Sequence, residues 1–263
     1  MENEFCKVVT YDGLTVKYAQ GPSSRRGKEI HTCYEMVYFM TDGNILYSEY
    51  GQRKIPAQTL LLIPKHTYHR IDIEDESKYR RIVMNFGDMF VPELFQEIMD
   101  DIHIFDNIPE NVMRILRRMI SAFDQELPEY KCNLLQYACF IQLLIELSLQ
   151  KNPQQAIPAE TNATLASIIA YIDDHLTETL NEYIIAKDLF LSPSTVRTMI
   201  SRNLNTSLHR YIIRKRLTLA QQLIETEKHP SLVYQKCGFA DYSTFYRAYK
   251  NYFGVSPSQR GKL

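Results

Sequence analysis

The sequence lacks the motifs of several common catalytic classes. It contains no P-loop, no glycine-rich dinucleotide fingerprint and no nucleophile with a base at a recognisable spacing. Its five cysteines are odd in number and form no C-x-x-C pair, so neither a disulfide framework nor a zinc ribbon is indicated. We therefore expect a protein that is not an enzyme, needs no cofactor and resides in a reducing cytoplasm.

Long apolar runs are also missing. No stretch approaches the roughly 18 consecutive apolar residues of a membrane span, and the N-terminus lacks a basic region followed by an apolar core. We therefore expect no membrane association. The 263 residues suit two globular domains.

An excess of charge of either sign is absent from the whole chain, which has 30 Lys and Arg residues against 31 Asp and Glu. The two parts of the chain differ, however. Residues 161–263 contain 13 basic and 8 acidic residues, whereas residues 1–160 contain 17 and 23. The C-terminal part is therefore basic enough to approach phosphates.

The N-terminal part has the pattern of an antiparallel β-sandwich or barrel. Short apolar or alternating runs are separated by turn residues such as Asp42-Gly43. The clearest runs are Tyr34–Met40, Asn44–Tyr50, Thr59–Pro64 and Tyr79–Phe86. We assign residues 1–105 to a β domain that senses a small molecule.

Helical spacing replaces the strand pattern after Asp88, and residues 106–150 are predicted to form helices for packing or dimerisation. The helix from Lys131 to Gln150 carries more apolar residues than one neighbour requires, so it is a candidate homodimer helix. The alternative is a helix packed wholly on its own β domain. Residues 151–160 contain two prolines and no periodicity, which is typical of a linker.

Residues 161–263 are predicted to be wholly helical and contain two helix-turn-helix units. In the first, Ser192 and Pro193 favour the start of a helix as its cap and first residue. Its outward residues are Ser194, Thr195, Arg197, Thr198 and Arg202. Such a helix enters the major groove of DNA with its first turns at the base edges.

The second unit lies about forty residues further on, where Gly238 and Phe239 form a turn before a helix from about Asp241 to Tyr252. We expect the outward residues to include Tyr242, Ser243, Thr244, Tyr246, Arg247 and Lys250. A long helix between the units carries Arg210, Arg214, Lys215 and Arg216, which could contact the DNA backbone. The alternative, a plain helical bundle with a basic solvated face, does not explain two equivalent turns.

This region resembles the AraC/XylS family of transcription regulators over about residues 165–259. The resemblance depends on Leu191-Ser192-Pro193-Ser194, on Arg216-Leu217-x-x-Ala220-x-x-Leu223-Ile224, and on Gly238-Phe239-x5-Phe245-x-Arg247-x-x-Lys250-x3-Gly254-Val255-Ser256-Pro257. It implies a double helix-turn-helix domain that binds double-stranded DNA, an activator role and contact with RNA polymerase.

Three residues depart from the family pattern. Thr198 replaces an arginine, Asn205 replaces a frequent glycine, and Tyr234 replaces a small residue. Asparagine tolerates the left-handed conformation that glycine would supply. Arg197 could take over a guanine-reading role or contact a phosphate.

The β segment resembles the cupin-like sensing domains that often precede this DNA-binding module, through His31 to Gly43 and Leu60 to Arg70. His31, Glu35, Tyr38 and His69 are candidate pocket residues. Two histidines and a carboxylate suit a divalent metal, but the fuller His-x-His pattern is lacking. The sequence favours a metal-free pocket for a small-molecule effector. The alternatives are histidines that only make local hydrogen bonds, a ligand-free domain controlled by a partner protein, and a cupin metalloenzyme.

Overall fold

The computed structural model describes residues 5–21, 31, 33–49, 51–65, 67–75, 77–90, 102–125, 127–149, 162–227 and 230–260. The predicted linker, residues 151–160, lies outside the described residues. None of the described helices combines the length and the apolar character that a membrane span needs.

The N-terminal part contains two antiparallel sheets. The strands are β1 (Phe5–Tyr11), β2 (Leu14–Gln20), β3 (Tyr34–Phe39), β4 (Asn44–Ser48), β5 (Gly51–Ile55), β6 (Thr59–Ile63), β7 (His69–Ile73), β8 (Arg80–Phe86) and β9 (His103–Phe105). One sheet has the order β1-β2-β8-β3-β6-β9 and the other the order β5-β4-β7. A single 3-10 turn, Asp88–Phe90, follows β8 among the described residues.

The larger sheet is covered on both faces, which explains why every residue of β6 is buried. Leu60 and Leu62 contact the core shared with two helices, α1 (Glu110–Asp124) and α2 (Glu129–Ser148). Leu61 and Ile63 point the other way, into a second core shared with the smaller sheet. Because neighbouring strand residues face opposite sides, a continuous apolar run suits a strand between two layers.

The predicted fold class is confirmed as a sheet domain followed by a helical domain. The sequence predicts either a sandwich or a barrel for the sheet domain. The structure has the sandwich form, because no pairing joins the two sheets among the described strands. The four apolar runs correspond to β3, β4, β6 and β8. The polar strand β5 and the three-residue β9 are edge strands, where little apolar alternation is needed.

Helix α2 packs on the sheet with one face and exposes an apolar stripe on the other. Phe140, Leu143 and Leu147 are buried in the core of the sheet domain. The exposed stripe contains Tyr130, Leu134, Ile145 and Leu149, each between 48% and 70% exposed. The helix therefore packs on its own domain, as one prediction has it, and also keeps the exposed apolar face on which the homodimer prediction depends.

The C-terminal part is helical throughout its described residues. Its helices are α3 (Ala163–Asp174), α4 (Glu182–Asp188), α5 (Pro193–Leu204), α6 (Leu208–Glu227), α7 (Pro230–Lys236), α8 (Tyr242–Phe253) and α9 (Pro257–Arg260). Helices α3, α4 and α5 share one core with the start of α6. The later part of α6 shares another core with α7 and α8. The long helix α6 therefore joins two helical units.

Candidate nucleic-acid interface

The first unit consists of α4 and α5, and both helices begin at a side-chain cap. The Asn181 side chain accepts hydrogen bonds from the backbone N–H groups of Tyr183 and Ile184 at 2.9 and 3.0 Å. Ser192 Oγ accepts from the backbone N–H of Thr195 at 3.0 Å, with Pro193 in the first turn. The caps satisfy N–H groups that a helix start leaves without partners. The predicted start of α5 agrees with the structure.

Helix α5 buries one side and exposes the other. Val196, Ile200 and Leu204 are fully buried in the core of the first unit. Of the predicted contact residues, Ser194, Arg197 and Arg202 are exposed, while Thr195 and Thr198 are half-buried. Arg197 lies 3.4 Å from Glu182 with its side chain 58% exposed, an ion pair too weak to hold it away from a phosphate or base. Helix α5 thus presents a polar face that includes the exposed guanidinium of Arg197.

The second unit consists of α7 and α8, and its turn requires glycine at position 238. Gly238 has φ +76°, and a Cβ atom there would lie 2.8 Å from the carbonyl oxygen of Thr177. Asp241 then caps α8 by accepting from the backbone N–H of Thr244 at 2.8 Å and from its hydroxyl at 2.9 Å. These two hydrogen bonds lower the pKa of Asp241.

Helix α8 repeats the division seen in α5. Phe245 and Tyr249 are fully buried, and Phe239 packs edge-on against Phe245 at 5.3 Å between ring centroids. Five of the six outward residues that the sequence predicts are exposed: Tyr242, Ser243, Thr244, Arg247 and Lys250. The sixth, Tyr246, is half-buried. Tyr242 leans edge-on against Tyr234, the bulky residue that departs from the family pattern, at 5.9 Å.

The sequence predicts that the cationic residues of α6 could contact the DNA backbone, but most of them bind other parts of the protein. Lys215 lies 3.0 Å from both Glu49 and Asp173, and Arg216 donates to the backbone carbonyl of Leu176 at 2.8 Å. Burial acts against the charge of Lys215, but the two carboxylates outweigh it and raise its pKa. Arg214 is half-buried, 6.0 Å from the ring centroid of Tyr252, which leaves Arg210 as the exposed member.

The sheet domain contacts the end of α5 directly through Tyr68. This side chain is fully buried within the core of the first unit, and its hydroxyl donates to the carbonyl oxygen of Leu204 at 2.8 Å. The ring packs edge-on against Tyr211 of α6 at 5.4 Å. Burial raises the pKa of Tyr68, so the hydroxyl stays a donor. It satisfies a carbonyl that a helix end leaves without a partner.

Polar contacts surround this apolar contact. Asn205, which ends α5 with φ +51°, donates to Asp72 at 2.7 Å, and its carbonyl accepts from Arg70 at 3.2 Å. Tyr211 donates to Glu49 at 2.7 Å. The left-handed conformation expected for Asn205 is present. We name the contact formed by Glu49, Tyr68, Arg70 and Asp72 with α5 and α6 the interdomain contact.

The structure brings together three of the four candidate pocket residues. His31, Glu35 and His69 contribute ligand atoms that all lie within 4.8 Å of one another. Tyr38 does not lie with them, so its placement in that pocket is wrong. It is three residues beyond Glu35 on β3 and therefore faces the opposite side, where its hydroxyl contacts the sulfur of Met113 on α1 at 3.6 Å.

Sequence reasoning missed the interdomain contact. Nothing in the sequence around Tyr68 indicates a partner 136 residues away. Glu49, Arg70 and Asp72 are ordinary polar residues in or next to strands β4 and β7. Only the packing of the two domains gives these residues a role.

Residues 185–262 match a family model described as a helix-turn-helix domain. The chain is also 29% identical over 165 residues to the probable transcriptional regulator LumQ of Photobacterium leiognathi. That match covers 61% of this chain and 65% of the relative, so it spans slightly less than two thirds of the relative's length.

Two solved structures are similar to this chain. The crystal structure of ToxT from Vibrio cholerae O395 has a TM-score of 0.43 at 13% identity and covers 95% of this chain and 97% of that one. A transcriptional regulator with an AraC-type DNA-binding domain from Chromobacterium violaceum has a TM-score of 0.35 at 24% identity, over 36% and 87% of the two chains. The family match and the helix pairs described above agree: the C-terminal region of the chain contains a helix-turn-helix domain.

Proposed function

We propose that the chain is a sequence-specific transcription regulator that binds double-stranded DNA with α5 and α8. The observation that carries this proposal is the repetition of one design: each helix starts at a side-chain cap, buries an apolar side in its own core and exposes hydroxyl and cationic side chains. Two such helices on one chain suit successive major grooves about 34 Å apart. Arginine and lysine supply affinity, and the helix faces supply sequence choice.

The proposal is tested by selecting random duplex DNA with the full-length chain at two salt concentrations. We expect enrichment of two short sequence blocks about ten base pairs apart, because two recognition helices read two half-sites one helical turn apart. Retention that vanishes with modest salt and enriches no sequence would show a helical bundle with a basic surface and would refute the proposal.

Arg247→Ala is expected to weaken binding to the enriched site by about 1–3 kcal/mol if Arg247 reads a base pair. Its guanidinium is exposed on α8, where its Nε donates to the backbone carbonyl of Ser243 at 3.4 Å. Affinities for the enriched duplex and for duplexes changed in one block are measured by fluorescence anisotropy. An equal loss on every duplex would assign Arg247 to a phosphate instead. Arg118→Ala, an exposed arginine on α1, removes the same charge far from the interface and controls for net charge.

We propose further that α2 pairs with the α2 of a second copy. The exposed stripe of Tyr130, Leu134, Ile145 and Leu149 runs along the helix for about 28 Å at 1.5 Å per residue. No charged residue occurs between Lys131 and Glu146. A helix that meets its own copy places identical groups close together, so an uncharged stripe avoids like-charge repulsion.

Ile145→Glu is expected to weaken this dimer by about 100-fold or more, because an unpaired charge in an apolar interface costs about 3–5 kcal/mol. Sedimentation equilibrium of the full-length chain measures the effect. Ser121→Glu on the exposed side of α1 adds the same charge outside the stripe and should leave the mass unchanged. A monomeric wild-type chain at high micromolar concentration would refute pairing through α2.

Regulation by a small-molecule effector requires a route from the sheet domain to the DNA-binding helices, and the interdomain contact supplies one. It includes the C-terminal end of α5 but leaves Ser194, Arg197 and Arg202 exposed. An effector that favours one arrangement of this contact would change DNA affinity, whereas one indifferent to it would change nothing. The alternative is control by a partner protein, which could act through the same contact. In either case the chain would act as an activator that contacts RNA polymerase. Effector-dependent thermal stabilisation of the full chain separates the two modes.

A further inference from the structure

We propose that His31, Glu35 and His69 bind one first-row divalent transition-metal ion in the sheet domain. This site is separate from the DNA interface, and the inference does not depend on the proposed function. It also differs from the sequence-based preference for a metal-free pocket.

The three ligand atoms are spaced as the ligands of one small cation are spaced. His31 Nε2 and His69 Nε2 lie 3.2 Å apart, and Glu35 Oε2 lies 3.0 Å from His69 Nε2 and 3.6 Å from His31 Nε2. The circle through these three atoms has a radius of about 1.9 Å, so an ion slightly out of their plane would lie about 2.0–2.1 Å from each, the usual distance for zinc-like ions. The three distances therefore fit the coordination of one such ion.

Neighbouring groups orient two of the ligands. The Nδ1 atom of His69 lies 3.2 Å from the carbonyl oxygen of Thr67; donation to that carbonyl leaves the lone pair on Nε2. Asn85 donates to Glu35 Oε1 at 3.3 Å, which turns Oε2 toward the histidines. Outer hydrogen bonds of this kind fix the tautomer of a ligating histidine and hold a ligating carboxylate.

The fold explains why these residues meet. Glu35 faces the interior of the sandwich from β3, directly beside Asn85 of β8, while His69 begins β7 in the smaller sheet. His31 lies just before β3. A bound ion would therefore join the two sheets at one end of the sandwich. With the side chains only 16%, 12% and 4% exposed, His31, Glu35 and His69 form a largely buried cluster in which His31 is the most exposed member.

The donor set also favours a transition-metal ion. Two imidazole nitrogens and one carboxylate oxygen, the atoms that meet here, are ligands that such ions accept.

The experiment titrates the full-length chain with zinc chloride by calorimetry, after removal of metal with a chelator and alkylation of the thiols. Alkylation removes the accessible thiols, including that of Cys33, as competing ligands, while Cys139 and Cys237 are buried. We expect one zinc ion per chain. Cobalt chloride is used in parallel, because the absorption of bound cobalt reports nitrogen and oxygen ligation directly.

Glu35→Gln and His31→Gln are each expected to weaken zinc binding by at least 100-fold, whereas His209→Gln, an exposed histidine on α6, should leave it unchanged. His31 is the least buried ligand, so its variant decides the question if Glu35→Gln does not fold by circular dichroism. A wild-type chain that binds no zinc, or unchanged stoichiometric binding in a folded His31→Gln variant, would overturn the proposal. DNA selection by the metal-free chain is scored separately, so a failure here leaves the proposed function intact.

Discussion

Tyr68→Ala is expected to lower the free energy of unfolding of the full-length chain by about 3–5 kcal/mol. The side chain is fully buried, packs against Tyr211 and donates to Leu204 across the interdomain contact. Its removal leaves a cavity between the domains and a helix-end carbonyl without its donor. Urea unfolding followed by circular dichroism measures the loss.

Two variants separate the parts of this effect. Tyr68→Phe keeps the ring and removes only the hydrogen bond to Leu204, so we expect a loss of about 1–3 kcal/mol. Tyr183→Ala removes a tyrosine that is 65% exposed and should change stability by no more than about 0.5 kcal/mol. If Tyr68→Ala proved as mild as Tyr183→Ala, Tyr68 would not hold the domains together.

Gly238→Ala is expected to destabilise the chain by about 2–6 kcal/mol, since a left-handed conformation at a residue other than glycine costs about 1–3 kcal/mol and overpacking adds about as much. The new Cβ atom would lie 2.8 Å from the Thr177 carbonyl, which belongs to the loop after α3. Thermal unfolding measures the loss, and affinity for the selected duplex reports any displacement of α8.

Gly254→Ala is the matched control. Gly254 has the same φ of +76°, but an added Cβ atom would meet nothing within 4 Å. Only the conformational cost then applies, about 1–3 kcal/mol. Equal losses in the two variants would show that the close approach to Thr177 contributes nothing.

Much of the fold follows from local patterns in the sequence. Ser192-Pro193 and Asp241 are strong helix starts because a cap depends on residues only three positions apart. The apolar run in β6 likewise predicts a buried strand, because the pattern lies within five consecutive residues. Helices α5 and α8 and most of their outward residues could therefore be predicted, together with the left-handed Asn205.

The remaining features depend on contacts between distant residues. In the sequence, Lys215 and Arg216 resemble surface cations on a helix. In the fold, Lys215 forms an ion pair with Glu49, and Arg216 donates a hydrogen bond to the Leu176 carbonyl. The separation of Tyr38 from Glu35 follows from strand alternation, which is decisive only once the strand boundaries and the covered faces are known. The meeting of His31 with His69 depends on how two sheets stack, which no local pattern specifies.

The position of Tyr68 limits how freely this helical domain could be exchanged during evolution. The core that supports α5 is completed by a side chain from the other domain, so the C-terminal helices are not a self-sufficient module. A recombination event that joins residues 162–260 to a different N-terminal domain would leave a tyrosine-sized gap beneath α5. Successful exchange would require the incoming domain to supply an aromatic residue at the same place, and the two halves of this chain are therefore expected to be inherited together.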